Sequence, residues 1–366
     1  MPVSPDHQHA NGEIDIASLH AQDSTGLLAR IDRAVVWDIP LTTPFRGITR
    51  RDGVLLHGPG GWGEVAPFWD YGLEASAPWL ASGLCQALGN SLLPRYRETI
   101  SVNVTVPEIG AQDASDLVRA SGARTAKVKV SGSSDKRSAD LERLEAVRSA
   151  LGRSGKVRID VNGAWDLDTA RENLPLMDRA AGGLEYAEQP CATVYDLADL
   201  RRAVDVPIAA DESIRLSANP LEIVHRRAAD VAILKVAPLG GVHRALDMAE
   251  RLGLPAVVSS ALDTSVGIMA GATLAFSLPS LSHACGLGTT RLLTQDVTEP
   301  SVAPHDGMLR VDDAAPVSER LLNEVKAGPY LTRHWQTRLL HLAGALHARR
   351  QREARDPSRA VAGLPL

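Results

Sequence analysis

Between Ser101 and Gly286 the chain repeats one texture: a short β-rich apolar run, then a stretch whose apolar residues fall at helical spacing. Eight runs read as strands, at 102–106, 126–130, 157–161, 184–188, 207–211, 231–236, 255–259 and 282–286. Stretches such as 139–151, 197–203 and 244–252 read as helices between them. Successive strands start roughly 20 to 30 residues apart, the length of one strand-plus-helix unit in a TIM barrel. Alternating strand and helix predicts a parallel α/β sheet, and eight units predict closure into a (β/α) barrel over 101–290. The rival is an open doubly wound sheet. Its dinucleotide-binding form is disfavoured, because no GxGxxG stands at a strand-to-helix turn.

The flanks read differently. Leu28–Trp37 and Gly53–Glu64 have strand character, with a loop at Pro40–Gly47 between them and a turn at 60–68. Residues 73–92 are mostly helical. Residues 26–100 therefore form an α+β unit of their own, a cap beside the barrel. Residues 291–328 are turn-rich, with Asp306-Gly307 as a hairpin turn, and are expected to pack back on that cap. In the terminal segment 329–366, Leu331, Trp335, Leu339, Leu342 and Leu346 recur at helical spacing opposite many arginines, which predicts a basic docking helix. Residues 1–25 are mostly polar and predict a disordered extension. They lack the basic start and apolar stretch of a secretion signal.

Strand alternation then sorts the polar residues. Lys127 and Lys129 share one face of their strand, and Arg158, Asp160 and Asn162 share one face of the next. Helices must cover the outside of a barrel, so the valines between these residues point out and the polar set points in. The same parity aims Glu188, Asp211 and Lys235 inward. All lie near the C-terminal ends of their strands, the face on which such barrels carry active sites. Three carboxylates, Asp160, Glu188 and Asp211, cannot share a dry site without a cation. Hard oxygen donors suit Mg²⁺, with Mn²⁺ possible, and no histidine or cysteine pair joins them to favour zinc. Lys129 and Lys235 then face each other across a substrate space. Lys127 is expected to lower the pKa of Lys129.

Composition sharpens that picture. Only 6 of the 39 cationic side chains are lysines, yet three of the six sit in strand-like apolar runs. Arginine stays charged at any accessible pH, whereas a desolvated lysine can give up its proton, so lysines kept there point to proton transfer. The net charge of −5 argues against nucleic acid or an anionic membrane as partner, while a metal beside two amines suits a small-molecule carboxylate substrate. No apolar run is long enough to span a bilayer. Cys85, Cys191 and Cys285 are odd in number and widely spaced, which reads as reduced thiols in a cytoplasm. Nothing in the sequence specifies the oligomeric state.

The set Lys127-Val-Lys129, Asp160-Val-Asn162, Glu188-Gln-Pro190, Asp211-Glu212 and Lys235 resembles the muconate-lactonizing subgroup of the enolase superfamily, without a departure from its pattern. That resemblance spans about 28–317. It implies a capping domain over a modified barrel, and a metal held by Asp160, Glu188 and Asp211. It also implies Lys129 and Lys235 as the catalytic amines, supported by Lys127, Asn162 and Glu212. Finer stretches, among them Phe45-Arg46-Gly47, Gly61-Trp62-Gly63-Glu64 and Ala209 to Arg215, resemble the branch that dehydrates a hydroxycyclohexadiene carboxylate to an aromatic ring. This implies that Lys129 takes the α-proton and then assists loss of hydroxide, while Lys235 stays charged. Ser259, Ser260 and the backbone from Gly286 to Gly288 are candidates for the substrate's tail. The loop from Thr42 to Arg46 and the Trp62 turn are expected to close over it. Sister enzymes racemise N-succinylamino acids with the same core, and that alternative stays open, as does a non-catalytic barrel used as a scaffold. Dipeptide epimerases carry Asp-x-Asp at the eighth strand, where this chain has His283-Ala284-Cys285-Gly286, with no acid.

Overall fold

The computed structural model describes residues 12–89 and 93–355. Three antiparallel strands open it: β1 (Arg33–Phe45), β2 (Ile48–Gly58) and β3 (Gly61–Val65), in that spatial order. The loop expected at Pro40–Gly47 is mostly strand. β1 runs on to Phe45 and pairs with Ile48 after a register irregularity at Pro40, so only Arg46 and Gly47 turn. Both have positive φ, 52° and 76°, as a two-residue hairpin whose twist matches its strands requires.

Each face of this sheet is buried, following the period of two. Val36, Val54 and Leu56 pack with the helix Leu73–Leu88 and with Trp335, Leu339 and Leu342 of the C-terminal helix Pro329–Arg355. Val35, Trp37 and Leu55 pack on the other side against Leu293, Val297, Leu322 and Val325. Side chains of this size contribute about 1.5–3 kcal/mol each when fully buried. The docking stripe is reinforced by a hydrogen bond from Trp335 Nε1 to Asp52 (2.7 Å).

The disordered extension expected at 1–25 is contradicted for its described part. Ile16–Gln22 is a helix capped by Asp15, whose carboxylate accepts from the Ala17 and Ser18 amides. Ile14 and Leu19 are buried in the cap core, which the polar surroundings of these two residues concealed. Residues 1–11 lie outside the described part, as do 90–92 at the end of the expected helix 73–92 and 356–366 of the basic tail.

Short β4 (Thr99–Ser101) leads into a parallel sheet of seven strands. These are β5 (Val104–Val106), β6 (Thr125–Lys129), β7 (Lys156–Asp160), β8 (Leu184–Glu188), β9 (Ile208–Ala210), β10 (Val231–Lys235) and β11 (Ala256–Ser259), each paired with the next in sequence. The eighth run, expected as a strand at 282–286, closes the ring without becoming one. Cys285 bridges Val102 and Gly286 bridges Ser259, both parallel, and Asn103 N–H donates to Cys285 O at 2.9 Å. β12 (Met308–Arg310) follows the Asp306-Gly307 turn and pairs with β4.

The outward residues Ala126, Val128, Val157, Ile159, Leu234 and Val258 merge with the helices into the large core. Inside the barrel, Tyr186, Ala209, Val231, Ile233 and Val257 form a small apolar plug. The polar residues therefore sit above and below that plug, at the two ends of one tube.

Candidate active site

At the C-terminal end of the strands, β6 and β7 run in register, so Lys127 stands beside Arg158 and Lys129 beside Asp160. Glu188 stands beside Asp160 on the next strand. Lys127 Nζ lies 3.1 Å from Asp160 and 3.0 Å from Glu188. Lys129 Nζ is 3.9 Å from Asp160 and donates to Asn162 Oδ1. On the opposite wall Lys235 Nζ lies 2.6 Å from Asp211 Oδ2. Both lysines and all three acids are thus brought to one end of the ring. Among the described residues, however, no three acids converge closely enough to grip one ion as the side chains stand. The ammonium of Lys127 bridges two of them, while Arg215 and Lys235 hold the third.

Electrostatics separates the acids. Burial pushes the Asp160 carboxyl up, but Lys127, Lys129 and Lys235 outweigh it and hold the group at about 2. Asp211 is likewise depressed against burial, by Arg215 and Lys235. Glu188 goes the other way. Burial, with repulsion from Asp160 and Asp211, pushes it up to about 7 despite Lys127. Glu212 is raised by burial and by Asp211. Lys127 loses solvation yet is raised well above the usual range by Asp160 and Glu188. The Lys127 ammonium is thus engaged with two carboxylates. The chain's own cations leave Glu188 short of compensation. The three acids are buried and offer only oxygen donors, which suit a hard divalent cation.

A small cavity, about 50 Å³, opens over these groups. Lys127, Asp160, Asn162, Arg215 and Lys235 form its polar wall, and Phe45, Arg46, Phe68 and Trp79 of the cap form its roof. Ser259, Ser260, Gly286 and Thr289 line the side opposite β6. A Cβ at Gly286 would stand 2.5 Å from Ser259 Oγ, so this close pairing demands glycine. The Ser260 hydroxyl is taken up by Gly286 O and Thr289 Oγ1 (2.7 and 2.8 Å). Gly288 faces Pro304 and Asn103 instead of the cavity. The Trp62 turn does not reach the site either, because its ring packs against His57 and Arg33 at the far edge of the cap. Arg46 does reach it, stacked 4.4 Å from Phe68 and paired with Asp70.

Sequence reasoning missed three contributors. Gln189, at φ 41°, accepts from the Asp211 and Ser213 amides and so fixes the loop that carries Asp211. Arg215 bonds both Asp211 and Glu212, and Tyr71 reaches Arg215 from the cap. The spacing of Arg215 from Asp211 and Glu212, four and three residues, was the available signal for one helical turn.

Residues 110–316 match the enolase C-terminal domain-like family and 36–87 the enolase N-terminal domain-like family. Among solved structures, the muconate lactonizing enzyme of Pseudomonas fluorescens superposes with a TM-score of 0.68 at 23% identity, over 80% of this chain and 98% of that one. A dipeptide epimerase from Cytophaga hutchinsonii, complexed with Mg and a dipeptide, gives 0.66 at 22%, over 81% and 98%. At such identities these two share the fold. The o-succinylbenzoate synthase of Thermobifida fusca (strain YX) is 52% identical over 305 residues, 82% of this chain and 93% of that protein. The o-succinylbenzoate synthase of Mycobacterium tuberculosis (strain ATCC 25618 / H37Rv) is 47% identical over 310 residues, 84% and 93%. The chain belongs to the enolase superfamily and, within it, to the family of the o-succinylbenzoate synthases.

Proposed function

We propose that the chain dehydrates 2-succinyl-6-hydroxy-2,4-cyclohexadiene-1-carboxylate to o-succinylbenzoate, a step of menaquinone biosynthesis, with Asp160, Glu188 and Asp211 holding Mg²⁺. The observation that carries this reading is the pair of amines at the C-terminal end of the ring, Lys129 near Asp160 and Lys235 against Asp211, with Asp160 and Lys235 lining the cavity. When bound, the divalent cation supplies positive charge for the substrate carboxylate as its α-proton leaves.

The chain's own residues do the rest. Lys129, oriented by Asn162, takes the proton from the ring carbon that bears the carboxylate. The same ammonium gives that proton to the departing hydroxyl, the C–O bond breaks, and water leaves as the ring becomes aromatic. Lys129 thus returns to its starting protonation state. Lys235 keeps its proton and neutralises charge on the substrate from the opposite wall. Phe45, Phe68 and Trp79 exclude water above the ring. Ser259 and Arg46, which line the cavity, would meet the succinyl tail. The three cysteines are free, which accords with a reducing compartment, the cytoplasm.

The test is the ultraviolet change on incubation with the cyclohexadiene substrate, with Mg²⁺ and after chelation. Dehydration that depends on the cation is expected. Deuterium uptake at the α-carbon of an N-succinylamino acid, with no dehydration, would transfer the same lysines to a racemase.

A further inference from the structure

One guanidinium touches both halves of the machinery. Arg215 is buried, and its three nitrogens are committed in three directions. Nε donates to Asp211 Oδ1 at 3.0 Å, Nη2 to Glu212 Oε1 at 2.6 Å, and Nη1 to the Tyr71 hydroxyl at 2.6 Å. From Asp211 the contact continues through Oδ2 to Lys235 Nζ, 2.6 Å away. From Glu212 Oε1 it continues to Asn162 Nδ2 at 3.2 Å, and Asn162 Oδ1 accepts from Lys129. Both amines are therefore one short chain of contacts from a single side chain.

The third arm leaves the barrel. Tyr71 lies in the cap segment between β3 and the helix Leu73–Leu88, three residues past Phe68, which roofs the cavity. Its ring stands 5.8 Å from Phe68 and 5.0 Å from the Arg46 guanidinium, so the roof and the Arg215 contact form one unit. A rigid fork suits this position. An arginine holds three partners in fixed directions, which a lysine ammonium cannot do.

We propose that Arg215 is a positioning residue that couples the seating of the cap to the placement of both lysines. When Tyr71 engages it, the fork fixes Asp211 and Glu212 together, and through them Lys235 and the Asn162–Lys129 pair. The cap then reports its closure to the two amines by hydrogen bonds, without touching either. This role rests on the synthase chemistry proposed above.

Tyr71→Phe removes only the hydroxyl that reaches Arg215. Its expected effect is a fall in kcat of roughly tenfold, the scale of one lost hydrogen bond to a charged group, with KM unchanged. Arg215→Lys keeps the charge and loses the fork, and should lower kcat further. The double variant should be no worse than Arg215→Lys alone, because the tyrosine acts through the arginine. A Tyr71→Phe enzyme with full kcat, or one whose loss lies in KM, would overturn the proposal, as would losses that multiply in the double variant. Amide hydrogen exchange without substrate provides a second readout. Tyr71→Phe should speed exchange in 68–72 and in 212–216 together, and acceleration in 68–72 alone counts against the coupling. If the wild-type protein does not dehydrate the substrate, the synthase reading fails, and the exchange measurement still decides the linkage.

Discussion

The two ends of the barrel interior carry polar clusters of similar size built to opposite rules. At the floor, Arg158 is fully buried and donates to Glu185 (2.6 Å), Asn103 (3.2 Å) and Ala284 O (2.8 Å), while His283 closes on the other oxygen of Glu185 at 3.2 Å. A bulge in β8 makes this possible: Val157 pairs with Leu184 but Arg158 with Tyr186, so Glu185 is the extra residue and turns toward Arg158. Although burial alone would raise Glu185, His283 and Arg158 hold it at about 2. At the mouth, Glu188 and Glu212 are pushed up instead, by burial first and then by repulsion from the neighbouring acids. The floor charges pair inside the ring, with Arg158 Nη2 and Asn103 Nδ2 left without partners, whereas Lys127, Asp160, Arg215 and Lys235 line the cavity under the cap. Buried polarity alone does not mark a site; buried charges that open on a cavity and shift one another's pKa do.

Breaking the mouth should abolish chemistry and spare the fold. Lys129→Ala and Lys235→Ala are each expected to lower turnover per folded molecule by about 10³-fold or more, with the protein still folding cooperatively. Steady-state kinetics and calorimetry on the same preparations check this. Breaking the floor should do the reverse. Arg158→Met leaves Glu185 without its main partner and is expected to cost about 3–5 kcal/mol in denaturant unfolding, with turnover per folded molecule unchanged.

The smallest effect concerns pH. The folded-state pKa of Glu185 lies below its ordinary value, so its stabilisation is present above about 4.5 and is lost as pH falls through about 2. Glu185→Gln should therefore unfold more easily than wild type at neutral pH, by roughly 1–2 kcal/mol once solvent screening is allowed for. The gap should close on acidification. A gap that persists at pH 2 would mean that packing, not charge, is what Glu185 provides.

The sequence made the mouth more legible than the floor for a physical reason. Period-two alternation and strand order were enough to aim Asp160, Glu188, Asp211, Lys129 and Lys235 at one end. The same parity placed Arg158 inward but could not find its partners, because Glu185 reaches it through a bulge and His283 comes from a closing segment that is not a regular strand. Cross-domain contacts were also hidden. Nothing local in Tyr71 announces a bond to Arg215, 144 residues away. Trp62 reads as a roof residue from its apolar turn, yet the roof is built from Phe45, Phe68 and Trp79. Ile14 and Leu19 show how two apolar positions in a polar stretch anchor a segment that composition alone would release.

The helix Pro329–Arg355 covers a sheet formed nearly three hundred residues earlier, with Trp335 bonded to Asp52 across 283 positions. On the ribosome, that sheet must wait with one apolar face bare until this helix has been made. Nascent chains cut short before the last helix emerges should be captured by chaperones through that face, and no partial translation product should turn over substrate.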